Sequence, residues 1–368
     1  MNRFHFSLTF LAVFTIQSIC TVANAQSEEP SLIPKIELHS YGGALLIHRD
    51  AMSELGNHPY YGNDLQIGFQ TTGTKAWHEL FKYPSYGIGL YSGYFNNEAI
   101  GNPFALYGFM EFPFLRRNKF TISGNLGVGM TFNINEYDSV SNPKNIAIGT
   151  DQNVYIDFSG NAKYKLSDRF EIGAGIKFQH FSNGAIKKPN LGLNMASGQV
   201  VLTYYPWKTI DKFKKGLAQK SYNKYEFTSM LAIGANGKDE DAATTKYMNS
   251  TLSFSASKRL NQKRNVGLGF DVFYNEYVKN HLDINTNEVA NKYLMSYGIF
   301  IASDLIVHKF RFTTQIGTYL WRKTDYSIPI YERVALRYFV TDKLFGNVSI
   351  KAHGAKAQFI EWGLGMIF

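Results

Sequence analysis

The chain has 368 residues, a formal charge of +9, a single cysteine, and 15% aromatic residues, with 29 Phe and 24 Tyr. One cysteine excludes an internal disulfide or a thiolate metal cluster, and no metal site is expected. Mean hydropathy is −0.21, and no run after the first 25 residues approaches the roughly 20 apolar residues of a membrane helix.

Residues 1–25 read as an export signal: Asn2-Arg3 is a short positive start, Phe6 to Ile19 an apolar core, and Ala23-Asn24-Ala25 a cleavage site. Cys20 lies inside this segment, so a mature chain beginning near Gln26 carries no thiol. Beyond it, segments of about ten residues alternate apolar and polar positions, with glycines scattered on the polar face. That is the pattern of an outer-membrane β-barrel. Strands are predicted near 35–48, 64–72, 85–95, 104–115, 119–132, 152–166, 169–182 and 195–206. The stretch 207–222, with Lys208, Lys212, Lys214, Lys215 and Lys220, is too long for an ordinary periplasmic turn and reads as a linker. Eight more strands follow near 223–234, 246–257, 265–278, 293–306, 309–321, 330–341, 344–353 and 358–368. The last one carries Ile360, Trp362, Leu364, Met366 and Phe368 on one outward stripe. For a basic barrel in that membrane, the phosphate-rich partner is lipopolysaccharide rather than nucleic acid.

The halves repeat one another. An offset of 190 pairs Tyr107-Gly108 with Tyr297-Gly298, Lys119-Phe120 with Lys309-Phe310, and Gly127 with Gly317. An offset of 174 pairs Tyr164 with Tyr338, Asp168 with Asp342, and Lys177 with Lys351. The expected fold is all-β: two tandem eight-stranded barrels, residues 26–206 and 223–368, with one sixteen-stranded barrel as the alternative. Pairing of the strand at 195–206 with 35–48 or with 223–234 distinguishes them.

From Phe170, one face of the seventh strand reads Phe170, Ile172, Ala174, Ile176, Phe178, and the same count brings His180 and Ser182 onto it. Parity along the next strand, with Val200, Leu202 and Tyr204 outward, adds Asn194 to that surface. Nucleophile, base and orienter types therefore meet at one edge of an apolar wall. Under the offset of 174, Gly354 and Lys356 stand where His180 and Ser182 do, so the second copy lacks the site. Lumen-facing Lys, Glu and Arg are expected to pair as a plug. Asp239-Glu240-Asp241 is a weaker acidic loop that reads as solvation rather than a calcium site.

His180-Phe181-Ser182-Asn183-Gly184 followed by Lys187-Lys188-Pro189-Asn190 resembles the lipid A 3-O-deacylase (PagL) family, over roughly residues 35–206. The resemblance implies an outer-membrane ester hydrolase that removes the acyl chain at the 3-position of lipid A. It makes Ser182 the nucleophile and His180 the base, with Asn190, Asn183 and Gly184 as the oxyanion site. Lys187 and Lys188 are candidate contacts to lipid A phosphates. The family's orienting glutamate is replaced by Asn194. An asparagine there is similar to outer-membrane phospholipase A, a twelve-stranded, calcium-binding barrel. The deacylase reading implies no cofactor; the phospholipase reading implies calcium. A non-enzymatic pore or lipopolysaccharide binder is the third reading.

Overall fold

The computed structural model describes residues 31–56, 58–207, 213, 215–216, 224–237, 246–276, 278, 291–323, 328–354 and 356–368. The expected signal at 1–25 and the Asp239-Glu240-Asp241 loop lie outside these residues. So does the linker, apart from Trp207, Phe213, Lys215 and Gly216.

Among the described residues, sixteen antiparallel strands form two closed barrels of eight. The first comprises β1 (Leu32–Leu45), β2 (Pro59–Thr71), β3 (Ser85–Tyr94), β4 (Phe104–Arg117), β5 (Phe120–Phe132), β6 (Asn153–Lys165), β7 (Phe170–Ser182) and β8 (Leu193–Tyr204). The second comprises β9 (Lys224–Gly237), β10 (Lys246–Arg259), β11 (Arg264–Asn275), β12 (Met295–Val307), β13 (Phe310–Arg322), β14 (Ile330–Phe339), β15 (Leu344–His353) and β16 (Lys356–Ile367). β8 pairs with β1, from Ile36↔Tyr204 to Leu45↔Met195, and β16 closes on β9. The sixteen-stranded alternative is thereby excluded. The largest boundary difference is β2, which begins at Pro59 rather than near 64: Pro59 and Gly62, both poor strand formers, pair with Ala44 and Tyr41 of β1. Pro34 is likewise accommodated, because the β8 ladder starts only at Ile36 and β1 has one neighbour there.

Alternation sorts every strand. Outward positions are apolar and exposed, as at Ile88, Ile176 and Leu364, while the lumens are filled by charged and aromatic side chains. In the first barrel, Lys163 lies 2.5 Å from both Glu37 and Glu111, and Lys35 pairs with Glu111. Higher up, Lys177 joins Asp157 and, at 2.6 Å, Asp64. In the second barrel Arg333 bridges Asp271 at 3.0 Å and Glu361 at 2.7 Å. These are the plug pairs that the polar parity implies. Removing one partner strands a buried charge, so Lys177→Met is expected to destabilise the barrel by about 3–5 kcal/mol. Denaturant unfolding in detergent micelles measures it; a loss below about 1 kcal/mol would mean that the plug is not structural.

Loops at the two ends differ. At the end where β7 finishes, the four connections of the first barrel are 46–58, 95–103, 133–152 and 183–192; at the other end, 118–119 and 166–169 are tight turns and only 72–84, with the short helix Ala76–Leu80, is long. Long loops face outward from the cell in such barrels, so the end of β7 lies at the outer leaflet. The barrels touch at both ends. Trp77 stacks on His308 with ring centroids 5.7 Å apart. At the β7 end, Gly237 N–H donates to the Ala185 carbonyl at 3.1 Å.

One expectation about the repeat changes. The turn between β15 and β16 is only 354–355, so Gly354 sits in that turn at φ +58° and Lys356 already begins the next strand. The offset of 174 thus fails at the site itself: β15 ends at His353, before any counterpart of His180. His353 turns inward, as its parity indicates, and its Nε2 lies 2.9 Å from the Tyr319 hydroxyl.

Candidate active site

The inward face of β7 anchors its outward one. Gln179 donates to the hydroxyls of Tyr155 at 2.8 Å and Tyr41 at 3.2 Å, and accepts from Tyr60 at 2.7 Å. Phe181 is fully buried in an aromatic cluster with Tyr91, Phe95 and Tyr155. With Gln179 and Phe181 locked inward, strand geometry holds His180 and Ser182 outward.

His180 lies directly across from Asn194 in the β7–β8 register. Such cross-strand neighbours are within side-chain reach. His180 Nδ1 is 2.6 Å from Asn194 Oδ1, and its Nε2 is 2.9 Å from Ser182 Oγ. An amide oxygen only accepts, so Nδ1 carries the proton and Nε2 is bare toward the serine hydroxyl. That is the arrangement of a nucleophile, its base and an orienter. All three are half-buried.

Gly192, at φ +80°, closes over the imidazole: a Cβ there would stand 2.8 Å from His180 Cε1. Gly184, at φ +63°, does the same toward the second barrel, where a Cβ would meet Ile360 Cδ1 at 2.3 Å. Ile360 points outward from β16 yet is only 7% exposed, against 61% for Trp362. The second barrel therefore packs directly on the loop that follows Ser182.

The other expected residues divide. Asn190 Oδ1 accepts the Asn183 N–H at 3.0 Å, so two proposed oxyanion donors are engaged with each other. This consumes the Asn183 backbone N–H. The Asn183 side chain donates to the Lys187 carbonyl at 2.8 Å and braces the loop. Lys187 forms an ion pair with Glu136 at 3.0 Å. Lys188 is half-buried, and burial first, then Lys356 of the second barrel, pulls its ammonium down to about 8. Among the described residues no group of three or more His, Cys, Asp or Glu could hold a metal ion.

His48 is absent from the sequence reading. Its Nδ1 lies 3.2 Å from Asn194 Nδ2, and its Nε2 lies 3.1 Å from the Leu191 carbonyl. The signal that reaches it is barrel closure, which places the end of β1 beside the start of β8; Leu46 N–H donates to the Asn194 carbonyl at 2.8 Å.

Two family models match the chain. One, "Lipid A 3-O-deacylase (PagL)", covers residues 62–203, and the other, "Acyloxyacyl hydrolase, C-terminal domain", covers 223–368. The chain belongs to the lipid A 3-O-deacylase (PagL) family. The PagL match spans β2 to β8 with His180, Ser182 and Asn194, and the C-terminal match coincides with the second barrel. As a PagL-family member the chain is an outer-membrane hydrolase that deacylates lipid A. No curated protein matches it. Among solved structures, Neisserial surface protein A aligns at 8% identity and TM-score 0.30, covering 46% of this chain and 96% of its own. The Acinetobacter baumannii outer membrane protein Omp33 aligns at 7% identity and TM-score 0.17, covering 92% and 99%. At such scores the barrel architecture rests on the strand pairings alone.

Proposed function

We propose that this PagL-family chain is a serine hydrolase that removes the ester-linked acyl chain at the 3-position of lipid A. The observation that carries this reading is the linked triad, with Ser182 Oγ 2.9 Å from His180 Nε2 and His180 Nδ1 2.6 Å from Asn194 Oδ1. It stands on the outward wall at the end of β7, where the outer leaflet and its lipid A lie.

Ser182 Oγ attacks the ester carbonyl while His180 Nε2 takes its proton. The tetrahedral oxyanion falls to the Asn190 NH2 and the Gly184 N–H, each such donor being worth about 3–4 kcal/mol. Collapse breaks the ester C–O bond, and His180 returns the proton to the departing sugar hydroxyl. Water, deprotonated by His180, then attacks the acyl-serine and releases the fatty acid. The proposed chemistry uses no cofactor. Below the triad, an apolar groove of about 980 Å³ runs over Ala196, Gly198 and Gly160 between Phe158, Ile176 and Phe178, and gives the acyl chain a bed. Lys188, with Lys356 across the seam between barrels, is the proposed phosphate contact. Lys187 is assigned to Glu136 instead.

Asn194 supplies the test of the orienter. Hydrogen bonds to charged groups are worth about 1.5–3 kcal/mol, so Asn194→Ala is expected to lower kcat about 10- to 100-fold. Asn194→Glu is expected to match or exceed the parent, since a carboxylate also accepts the Nδ1 proton and adds charge beneath the imidazolium. Rates of fatty-acid release from purified lipid A in micelles give both numbers. An Asn194→Ala enzyme as fast as the parent would remove Asn194 from the site. Release of fatty acid from glycerophospholipid but not from lipid A would favour the phospholipase reading that the asparagine also fits.

A further inference from the structure

An asparagine orienter has a weakness that a glutamate lacks. A carboxylate presents an acceptor whichever way it turns, whereas an amide flipped by 180° presents its NH2. With Asn194 flipped, His180 Nδ1 would face a donor and would have to give up its proton. The proton would then sit on Nε2, against the serine hydroxyl, and the base would be lost. Something must hold the amide one way.

We propose that His48 is a positioning residue that fixes the Asn194 amide and thereby the tautomer of His180. Its Nε2 is 3.1 Å from the Leu191 carbonyl, an acceptor only, so that nitrogen carries the proton. Its Nδ1 then bears a lone pair, and Asn194 Nδ2, 3.2 Å away, donates to it. The Leu46 carbonyl also lies near Nδ1, at 3.3 Å. A proton on Nδ1 would satisfy that oxygen, but it would leave both the Leu191 carbonyl and the Asn194 NH2 facing the wrong partners. The neutral Nε2–H form serves two contacts and the other form serves one.

The donors therefore run in one direction. Ser182 O–H donates to His180 Nε2, and His180 Nδ1–H to Asn194 Oδ1. Asn194 Nδ2–H donates to His48 Nδ1, and His48 Nε2–H to the Leu191 carbonyl. Aligned chains of this kind polarise and strengthen one another. The chain begins at the nucleophile and ends on the backbone of the β7–β8 loop. His48 reaches it because the barrel closes: β1 and β8 are neighbours, and the segment leaving β1 stays paired to β8 through Leu46.

The proposal rests on the serine-hydrolase reading, and its test separates the two. Full-length protein in detergent micelles is assayed on purified lipid A as the parent, His48→Ala, His48→Asn and Ser182→Ala. One neutral hydrogen bond biases the amide by about 3- to 10-fold, so His48→Ala is expected to lower kcat by that factor at unchanged KM. His48→Asn, whose Oδ1 replaces the Nδ1 acceptor, is expected to recover kcat to within about twofold. Side-chain 15N shifts of His180 are expected to report the Nδ1–H form in the parent and in His48→Asn, and a mixture with Nε2–H in His48→Ala. An unchanged kcat in His48→Ala, or a loss with no change of His180 tautomer, would overturn the role of His48. Undiminished activity of Ser182→Ala would instead overturn the reading beneath it.

Discussion

Ser182→Ala protein is expected to release fatty acid from lipid A at least about 10⁴-fold more slowly than the parent, with its unfolding unchanged. The hydroxyl is the atom that forms the acyl-enzyme, and removing a nucleophile from such a unit costs nearly all of the covalent pathway. Its stability contribution is small. Ser182 is half-buried at the last position of β7, its Oγ is bonded to His180, and the strand is held by Gln179 and Phe181 from the lumen side. Surface changes of this size shift stability by roughly 0.5 kcal/mol or less. Initial rates and thermal melts in the same micelles measure both. A variant that melts like the parent and retains more than about a tenth of its rate would show that another group is the nucleophile.

The second large effect is expected at a residue that makes no contact with substrate. Gly192→Ala should lower kcat about 100-fold with little change in KM. At φ +80° a side chain is strained from the outset. Its Cβ would also stand 2.8 Å from His180 Cε1. The ring cannot swing away without breaking the 2.6 Å contact to Asn194 or the 2.9 Å contact to Ser182. Displacing a reacting group by about 1 Å costs on the order of 100-fold. Steady-state kinetics of the variant check this; parental kcat would mean that the imidazole has room to spare.

The sixteen strands were legible in the sequence because their signal is local. A period of two survives in each segment, and both lumens obey it, from Lys177 with Asp64 and Asp157 to Arg333 with Asp271 and Glu361. The grouping of His180, Ser182 and Asn194 was legible for the same reason: His180 and Ser182 share a strand face, and Asn194 lies near the start of the next strand with matching parity. What escaped depends on contacts that no local pattern encodes. His48 meets Asn194 only because β1 closes against β8. The last strand shows one uniform stripe in sequence, yet Ile360 is buried while Leu364 is 75% exposed, since a loop of the other barrel covers only the upper end. Asn183 and Asn190 looked like parallel donors, and the turn of the 183–190 loop made them partners.

Acyl-chain removal at the 3-position of lipid A by Ser182 can be read directly by mass spectrometry of lipid A. The lipid A is taken from cells expressing the full chain and from cells expressing Ser182→Ala. The parent is expected to strip one ester-linked chain from the 3-position and to leave glycerophospholipids intact, and lipid A from the Ser182→Ala cells is expected to keep that chain. Intact lipid A in both, or the same deacylated product from both, would contradict it.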